Sequence, residues 1–194
     1  MEMENMTTQF RIEKDSLGEV QVPCDALYGV QTVRATQNFP ITHLRTHPAM
    51  IRSLGMIKKA CAMANHECGH LDDERTGYII AACDEIIQGK LDCWFITDVI
   101  QGGAGTSTNM NANEVVANRA AQLAGKALGV YDYIHPNDHV NFGQSTNDVF
   151  PTAGKLTALF LVEDLLEELM LLQEALLDKS IEFNDVIKLG RTHL

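Results

Sequence analysis

Three segments of the sequence combine residue types that suit the binding of a carboxylate. Their sequences are GGAGTSTN at 102–109, QSTND at 144–148 and RTH at 191–193. Glycine lets a ligand approach backbone N–H groups, and serine and threonine hydroxyls donate hydrogen bonds. All three segments are placed at helix starts, and the N-terminus of a helix favours negative charge. Together they predict a site that binds a small carboxylate.

Each segment also has a simpler interpretation when it is taken alone. Residues 102–107 could form a phosphate-binding loop, but they lack the Lys-Ser/Thr ending of a Walker motif and no predicted buried strand precedes them. Segment 145–148 could be an ordinary helix N-cap followed by an acidic residue. His193 could be a surface histidine or a hydrogen-bonded core histidine. The occurrence of all three segments in one chain favours a functional site.

The hydrophobic pattern predicts a mainly α-helical chain with one short β-hairpin. Residues 11–23 alternate polar and apolar side chains around a turn at 17–19, as a hairpin does. Elsewhere apolar residues recur at the helical spacing of 3 to 4, and glycines follow several of these segments as stop signals. The predicted helices cover 49–68, a segment from Asp72 or Asp73 to Gly89, the stretch from the glycines at 102–105 to Gly125, and 152–183. Between the last two, 125–143 is predicted to be a loop.

The last predicted helix is the longest, and Pro151 is placed in its first turn. Its apolar residues form two stripes at the alternating spacing typical of a helical bundle. Such a helix needs neighbours on two sides. It could be an internal core helix, but no other predicted helix matches its length, so we expect partners beyond Leu194 or in other subunits and an incomplete chain. The stripes are Ala158, Val162, Leu165, Leu169, Leu172 and Leu176, and beside them Leu159, Leu166, Met170 and Leu177.

These elements predict a division into three parts. Residues 1–10 are expected to be a flexible N-terminus, and residues 11–143 an N-terminal helical domain that contains the hairpin. Residues 144–194 are expected to be the truncated start of a central helical-bundle domain, of which the long helix is the first.

The composition limits the classes of partner. The chain carries 26 acidic and 15 basic residues, a formal net charge of -11. An acidic surface repels a phosphate backbone, so we expect no nucleic-acid partner. Residues 1–9 lack the features of a secretory signal, and no apolar run reaches the roughly 18 to 20 residues needed to cross a bilayer. We therefore expect a cytoplasmic protein without a membrane partner.

The five cysteines lack Cys-x-x-Cys spacing, which is typical of free thiols in a reducing compartment. An alternative is a zinc site formed by Cys61, His66, Cys68 and His70. The two cysteines share a face of a predicted helix, but the two histidines project elsewhere, so four ligands would not converge tetrahedrally. We therefore interpret the cysteines as small buried residues and expect neither a metal nor another cofactor.

Four motifs resemble, in order and spacing, those of the aspartase/fumarase superfamily. They are GGAGTSTNMNANEV at 102–115, HPNDHVN at 135–141, QSTND at 144–148 and GRTH at 190–193. Class II fumarases typically have Gly-Ser-Gly-Thr-Gln in the first motif and Ser-Ser-Asn in the third. This chain has Gly-Ala-Gly-Thr-Ser and Ser-Thr-Asn, so it resembles the aspartate ammonia-lyase branch more closely, with the class II fumarate hydratases as the alternative.

The resemblance implies elimination of ammonia from L-aspartate to give fumarate. A proton leaves the carbon beside one carboxylate, and the charge that develops on that carboxylate is stabilised by preorganised donors. The resemblance assigns this carboxylate to Thr106, Ser145 and Thr146. It assigns the amino group and the other carboxylate to Asn147, Thr192 and His193, with His193 as the titrating catalytic group. By the same resemblance, the segment around 135–138 matches a second, non-catalytic anion site of fumarases.

The general base of the superfamily is a serine in a mobile loop with the motif Gly-Ser-Ser-x-Met-Pro-Gly-Lys-x-Asn-Pro, which this sequence does not contain. The resemblance therefore implies that this chain alone is inactive. It also implies a homotetramer of the full-length protein, with a core of long helices and active sites shared between subunits. A different alternative is a non-catalytic helical oligomerisation module that keeps the scaffold without the chemistry.

Overall fold

The computed structural model describes residues 9–193. The chain is mostly helical, at 58%, with one two-stranded antiparallel hairpin, so the predicted fold class is confirmed. The predicted flexible N-terminus, 1–10, lies mainly outside the described residues, and Phe10 already begins the first strand. The strands and helices are β1 (Phe10–Asp15), β2 (Gly18–Pro23), α1 (Val30–Asn38), α2 (Pro48–Glu67), α3 (Asp73–Ile87), α4 (Thr106–Leu123) and α5 (Thr146–Glu182).

The hairpin forms where the alternating pattern predicted it. Phe10 pairs with Pro23 and Asp15 with Gly18, so a two-residue turn joins the strands. Within this turn the backbone N–H of Leu17 donates to Asp15 Oδ1 at 2.9 Å. Gly18 has a φ of +122°, a conformation that favours glycine.

The predicted boundaries of α2 and α3 agree with the structure because local signals set them. Pro48 occupies the first turn of α2, where a missing N–H costs nothing. Of the two candidate caps of α3, Asp72 is the one used, since its Oδ1 accepts from the backbone N–H of Arg75 at 2.8 Å. Gly69 and Gly89 follow the two helices with positive φ values of +76° and +74°, as helix-terminating glycines do.

Helix α1 was not singled out by the sequence pattern, because a distant residue caps it. The carboxylate of Glu114, on α4, accepts from the backbone N–H groups of Gly29, Gln31 and Thr32 at 2.8 to 3.0 Å. The Thr32 hydroxyl donates to the same carboxylate at 2.6 Å. The Glu114 carboxylate thus accepts from N–H groups that have no intrahelical acceptor at a helix start. Burial raises the pKa of Glu114, and the four hydrogen bonds oppose that shift.

The core lies where α2, α3 and α4 pack together. Helix α4 is its centre, since the side chains from Asn111 to Asn118 are all buried. The start of α5 joins this core through Val149 and Ala153. This packing fixes the first turns of α4 and α5 relative to each other. The fully buried apolar side chains include Leu54, Ile79, Phe95, Val115, Val116 and Ile134.

Two predicted elements differ from the structure. The predicted loop 125–143 contains a π-helical turn at Pro136–Val140, in which His135 Nδ1 accepts from the backbone N–H groups of Asn137 and Asp138 at 3.2 Å. Helix α5 begins at Thr146, so Pro151 lies inside it and not in its first turn. The ring of Pro151 removes the N–H that would donate to the carbonyl of Asn147.

The cysteines are free, but most of them are not buried. Only Cys83 lies in the core, Cys61 is half-buried, and Cys24, Cys68 and Cys93 are exposed. The interpretation of all five as buried residues was therefore wrong. Cys24 follows the end of β2, Cys68 caps the end of α2, and Cys93 occupies a 3₁₀ turn. Such positions lie at the surface. Among residues 9–193, no group of three or more metal-ligating side chains could hold a metal ion.

The chain divides into two compact units, Met1–Thr157 and Ala158–Leu194. The second unit contains most of α5. Both predicted apolar stripes are exposed along this part of the helix, with Leu165, Leu172 and Leu176 each more than half exposed. Among the described helices, none has the length and apolar character needed to cross a membrane.

Candidate active site

The glycines of the first segment let the start of α4 lie against the start of α5. Gly105 has a φ of +89° and directly precedes α4. A Cβ atom at this position would lie 2.3 Å from Cγ of Phe150, on α5. A Cβ at Gly102 would lie 2.7 Å from Cζ of Phe39. Both positions therefore require glycine, since a side chain at either would force the adjoining aromatic ring to move.

The glycine segment is also held by a side chain that caps α4. Gln101 Oε1 accepts from the backbone N–H of Thr108 at 2.7 Å, and Gln101 Nε2 donates to Thr108 Oγ1 at 2.7 Å. The Thr108 hydroxyl lies 3.2 Å from that of Thr97. Gln101 thus satisfies an N–H group of the first turn of α4, which Gly105 has no side chain to reach. The Thr106 side chain remains exposed.

The second segment begins α5. The Ser145 carbonyl accepts from the backbone N–H of Val149 at 3.0 Å, and Ser145 Oγ accepts from that of Asn147 at 3.2 Å. Ser145 is thus a helix cap, as the simpler interpretation had it. It is also exposed beside a half-buried Thr146 and an exposed Asn147. Capping and ligand binding are compatible, because a hydroxyl that accepts from the backbone keeps its own proton to donate.

The two helix starts are joined by hydrogen bonds between side chains. Asn109 Nδ2, on α4, donates to Thr146 Oγ1 at 3.0 Å and to Asn141 Oδ1 at 3.3 Å. Asn109 is 1% exposed, so the contact lies away from solvent. The structure therefore brings the first two predicted segments together.

A buried lysine lies behind this contact. Lys58, on α2, is fully buried, and its Nζ donates to Asn141 Oδ1 at 2.8 Å and to Gln144 Oε1 at 2.9 Å. Among residues 9–193, the ion pairs include none with Lys58. Burial lowers the pKa of this lysine to about 8. The segment that leads into Ser145 is therefore held by a lysine that has no ion-pair partner in the part of the chain that the structure describes.

The two helix starts border one cavity of about 570 Å³. Residues from both motifs line it, so a small molecule in this cavity would contact the glycine segment and Asn147 together. Its size exceeds that of a four-carbon dicarboxylate and falls in the range of small-ligand pockets. The lining residues are Val99, Ile100, Gln101, Gly103, Ala104, Gly105, Asn147, Phe150 and Pro151.

The third predicted segment lies in the second compact unit. Thr192 and His193 follow α5 there, and both are exposed. The predicted roles of Thr192 and His193 stay predictions. The segment around 135–138, matched to a second anion site, forms the π-helical turn of the first unit.

Sequence reasoning did not single out Lys58 or Gln101. Lysines on predicted helices are usually solvated, so the sequence contained no signal for the burial of Lys58. Asn109 was within a quoted motif, but its contact with Thr146 depends on the packing of α4 against α5.

Comparison with known proteins identifies the family. The family described as Lyase matches residues 18–194. The chain belongs to the aspartase/fumarase superfamily of lyases. It is 57% identical to an aspartate ammonia-lyase of a Bacillus species over 97% of the chain and 40% of that protein. It is 53% identical to a class II fumarate hydratase of Halobacterium salinarum, again over 97% of the chain and 40% of the relative.

Solved structures agree with this assignment. A fumarate lyase:delta crystallin from Brucella melitensis matches with a TM-score of 0.88 and 49% identity, over 95% of this chain and 44% of that one. The chain therefore spans about two fifths of the length of the relatives that it matches. Superfamily membership is confirmed, and the names of the relatives include both branches that the motifs distinguished.

Proposed function

We propose that this chain is the N-terminal region of an aspartate ammonia-lyase, which eliminates ammonia from L-aspartate to give fumarate. The observation that carries the proposal is the hydrogen-bonded meeting of two helix starts, rich in hydroxyls and amides. Beside them lies a cavity of about 570 Å³ that Asn147 lines, whereas Thr106, Ser145 and Thr146 are not among its lining residues. Dipoles and N–H groups at both helix starts favour an anion there. Gly-Ala-Gly-Thr-Ser at 103–107 and Ser-Thr-Asn at 145–147 favour aspartate over malate.

In the proposed reaction, a base takes a proton from the carbon next to one carboxylate, and the electron pair left behind is shared with that carboxylate. Thr106, Ser145 and Thr146 donate hydrogen bonds to its oxygens as the charge grows. The electron pair then forms the carbon–carbon double bond and ammonia leaves from the neighbouring carbon. Removing one such donor costs other enzymes about 10²- to 10³-fold in rate.

The remaining proposed residues act on the other end of the substrate. Asn147, which lines the cavity, would hold the amino group or the second carboxylate together with Thr192 and His193. His193 is the proposed acid–base group among them, because histidine is the side chain that most often transfers protons in enzymes. No metal or cofactor is part of this proposal.

The base itself is proposed to be the serine of the superfamily's loop motif, which the 194 residues do not include. We therefore expect the purified 194-residue chain to form no fumarate from aspartate. Ultraviolet absorbance of fumarate measures the reaction directly. Turnover by this chain above a blank would refute the assignment of the base to that loop.

The alternative within the superfamily is a class II fumarate hydratase, which the 53% identical relative from Halobacterium salinarum favours. The full-length enzyme supplied with aspartate and with malate in parallel separates the two. Turnover of malate alone would replace our proposal with this one. The choice depends on the two motif forms.

A non-catalytic oligomerisation module is the alternative outside enzymology. Thr146→Val in the full-length enzyme tests it, because valine keeps the shape of threonine and removes the hydroxyl. We expect kcat/KM for aspartate to fall by about 10²-fold, the cost of one lost donor. Unchanged activity would show that Thr146 does not contact the substrate.

We also propose that the full-length enzyme is a cytoplasmic homotetramer. The support is the exposure of both apolar stripes of α5, including Leu169 and Met170, since a helix of this type is buried by neighbours on two sides. Light scattering on the full-length enzyme measures the assembly. A monomer at micromolar concentration would contradict the proposal.

A further inference from the structure

Side chains behind the two helix starts form a chain of hydrogen bonds whose direction is fixed by Lys58. A lysine ammonium only donates, so the atoms facing it, Asn141 Oδ1 and Gln144 Oε1, must be carbonyl oxygens. The hydrogen bonds of the two amide nitrogens are consistent with this orientation. Asn141 Nδ2 donates to the backbone carbonyl of Gln144 at 3.1 Å, and Gln144 Nε2 donates to that of Val140 at 2.8 Å. Both amide orientations are therefore set from two sides.

The orientation of Asn141 in turn sets that of Asn109. Asn141 presents its oxygen to Asn109 at 3.3 Å. If Asn109 were turned over, two carbonyl oxygens would face each other without a proton between them. The NH₂ group of Asn109 therefore faces both Asn141 Oδ1 and Thr146 Oγ1, the latter at 3.0 Å. Because Asn109 is 1% exposed, bulk water does not compete for these contacts.

This direction decides what the Thr146 hydroxyl can offer to a ligand. A threonine hydroxyl has one proton to donate and two lone pairs. The Asn109 amide uses one lone pair, so the proton of Thr146 points elsewhere. A carboxylate can only accept hydrogen bonds, so it needs this proton and not another lone pair.

We propose that Asn109, oriented by Asn141 and Lys58, is a positioning residue that makes Thr146 a hydrogen-bond donor to the substrate carboxylate. This inference rests on the proposed function, in which Thr146 contacts the carboxylate that gathers charge. Asn109 itself does not touch the substrate. Its effect on the reaction passes through Thr146 alone.

The test reverses the direction of one hydrogen bond. Asn109→Asp keeps the shape of the side chain, and in its ionised form it offers only acceptors, so the Thr146 proton turns towards residue 109. In the full-length enzyme we expect kcat/KM for aspartate to fall by about 10² to 10³, as for a lost oxyanion donor. The loss should lie mainly in kcat, because the bond strengthens as charge develops.

The control for burying a carboxylate is Asn113→Asp. Asn113 lies one turn further along α4 and is fully buried, and its Nδ2 donates to the Met110 sulfur at 3.5 Å. Asn113 is therefore as buried as Asn109 but is not hydrogen-bonded to Thr146. We expect kcat/KM to change by less than about tenfold, or 1.4 kcal/mol. An equal loss in both variants would overturn the proposal.

A double-mutant cycle separates positioning from general damage. With Thr146→Val as the background, no hydroxyl remains to be oriented, so adding Asn109→Asp should cost less than about tenfold. The same factor in both backgrounds would overturn the proposal. If Asn109→Asp does not fold, Asn109→Ala replaces it in the cycle. Its cost in kcat/KM should again be smaller in the Thr146→Val background than in the wild type, and an equal cost in both would overturn the proposal.

Wild-type turnover in the same series reports on the proposed function separately. A full-length enzyme inert towards both aspartate and malate would overturn the proposed function, and the role of Asn109 with it. An active enzyme with uncoupled variants would overturn the role of Asn109 alone.

Discussion

Replacing Gly105 with alanine tests the close approach of α4 to α5. The new Cβ would lie 2.3 Å from Phe150 Cγ and 2.4 Å from both Cδ atoms. The φ of +89° adds strain of about 1 to 2 kcal/mol for a residue with a side chain. Moving a packed ring adds about 1 to 3 kcal/mol. We therefore expect the free energy of unfolding to fall by about 2 to 5 kcal/mol.

Urea denaturation of the 194-residue chain measures this loss. Trp94 is the single tryptophan and packs against the core of the first unit, so its fluorescence follows that unit. Gly125→Ala is the matched control, because Gly125 has a φ of +70° and nothing within 4 Å of its would-be Cβ. It should lose about 1 to 2 kcal/mol from backbone strain alone.

The difference between Gly105→Ala and Gly125→Ala isolates the collision with the ring. Phe150→Ala removes the ring, so the added cost of Gly105→Ala in that background should fall to that of Gly125→Ala. Equal costs for the two glycine variants in the wild-type background would refute the reasoning. So would an undiminished cost of Gly105→Ala after the ring is removed.

Two further substitutions test buried charges. Burial lowers the pKa of Lys58 to about 8, so above that pH the unfolded chain binds more protons than the folded chain does. As the pH rises from 8 to 10, the free energy of unfolding of the wild type should therefore increase by about 2 kcal/mol relative to that of Lys58→Met. Cys61 and Cys83 face Lys58 but occur in both proteins, and a pH-independent difference in unfolding free energy would contradict the prediction. Glu114→Gln should lose about 3 kcal/mol in urea denaturation, since one amide oxygen replaces two charged acceptors, whereas the same change at exposed Glu67 should stay within about 0.5 kcal/mol. Equal losses at the two positions would argue against capping by Glu114.

Elements with local signals could be predicted from the sequence. The hairpin, α2 and α3 carry their turn residues, caps and stop glycines within a few positions of their ends. Helix α1 could not be predicted in this way, because its cap is contributed by Glu114, 82 to 85 residues away, and by Glu13, on β1. Pro151 misplaced the start of α5, although the cap that the structure uses, Ser145, is a local signal that the sequence also contained.

In the candidate site, too, residues with a local sequence signal could be predicted and residues whose role depends on tertiary packing could not. Glycine and hydroxyl residues at 102–109 and 144–148 were recognisable because their chemistry is visible in their types. The groups that hold them were not, because Lys58 and Asn109 acquire their roles only when α2, α4 and the start of α5 pack together. A pattern in one segment contains no information about which distant side chain is buried beneath it.

The distant cap of α1 also orders events during synthesis. The Glu114 carboxylate enters the chain 82 to 85 residues after the N–H groups that it receives. At roughly 5 to 20 residues per second, the ribosome needs about 4 to 17 seconds to reach it. During that interval the N–H groups of Gly29, Gln31 and Thr32 lack the carboxylate that they contact in the folded chain, whereas the N–H of Val30 can already donate to Glu13, on β1. The hairpin can therefore form and offer Glu13 to Val30 before α4 completes the N-terminal cap of α1.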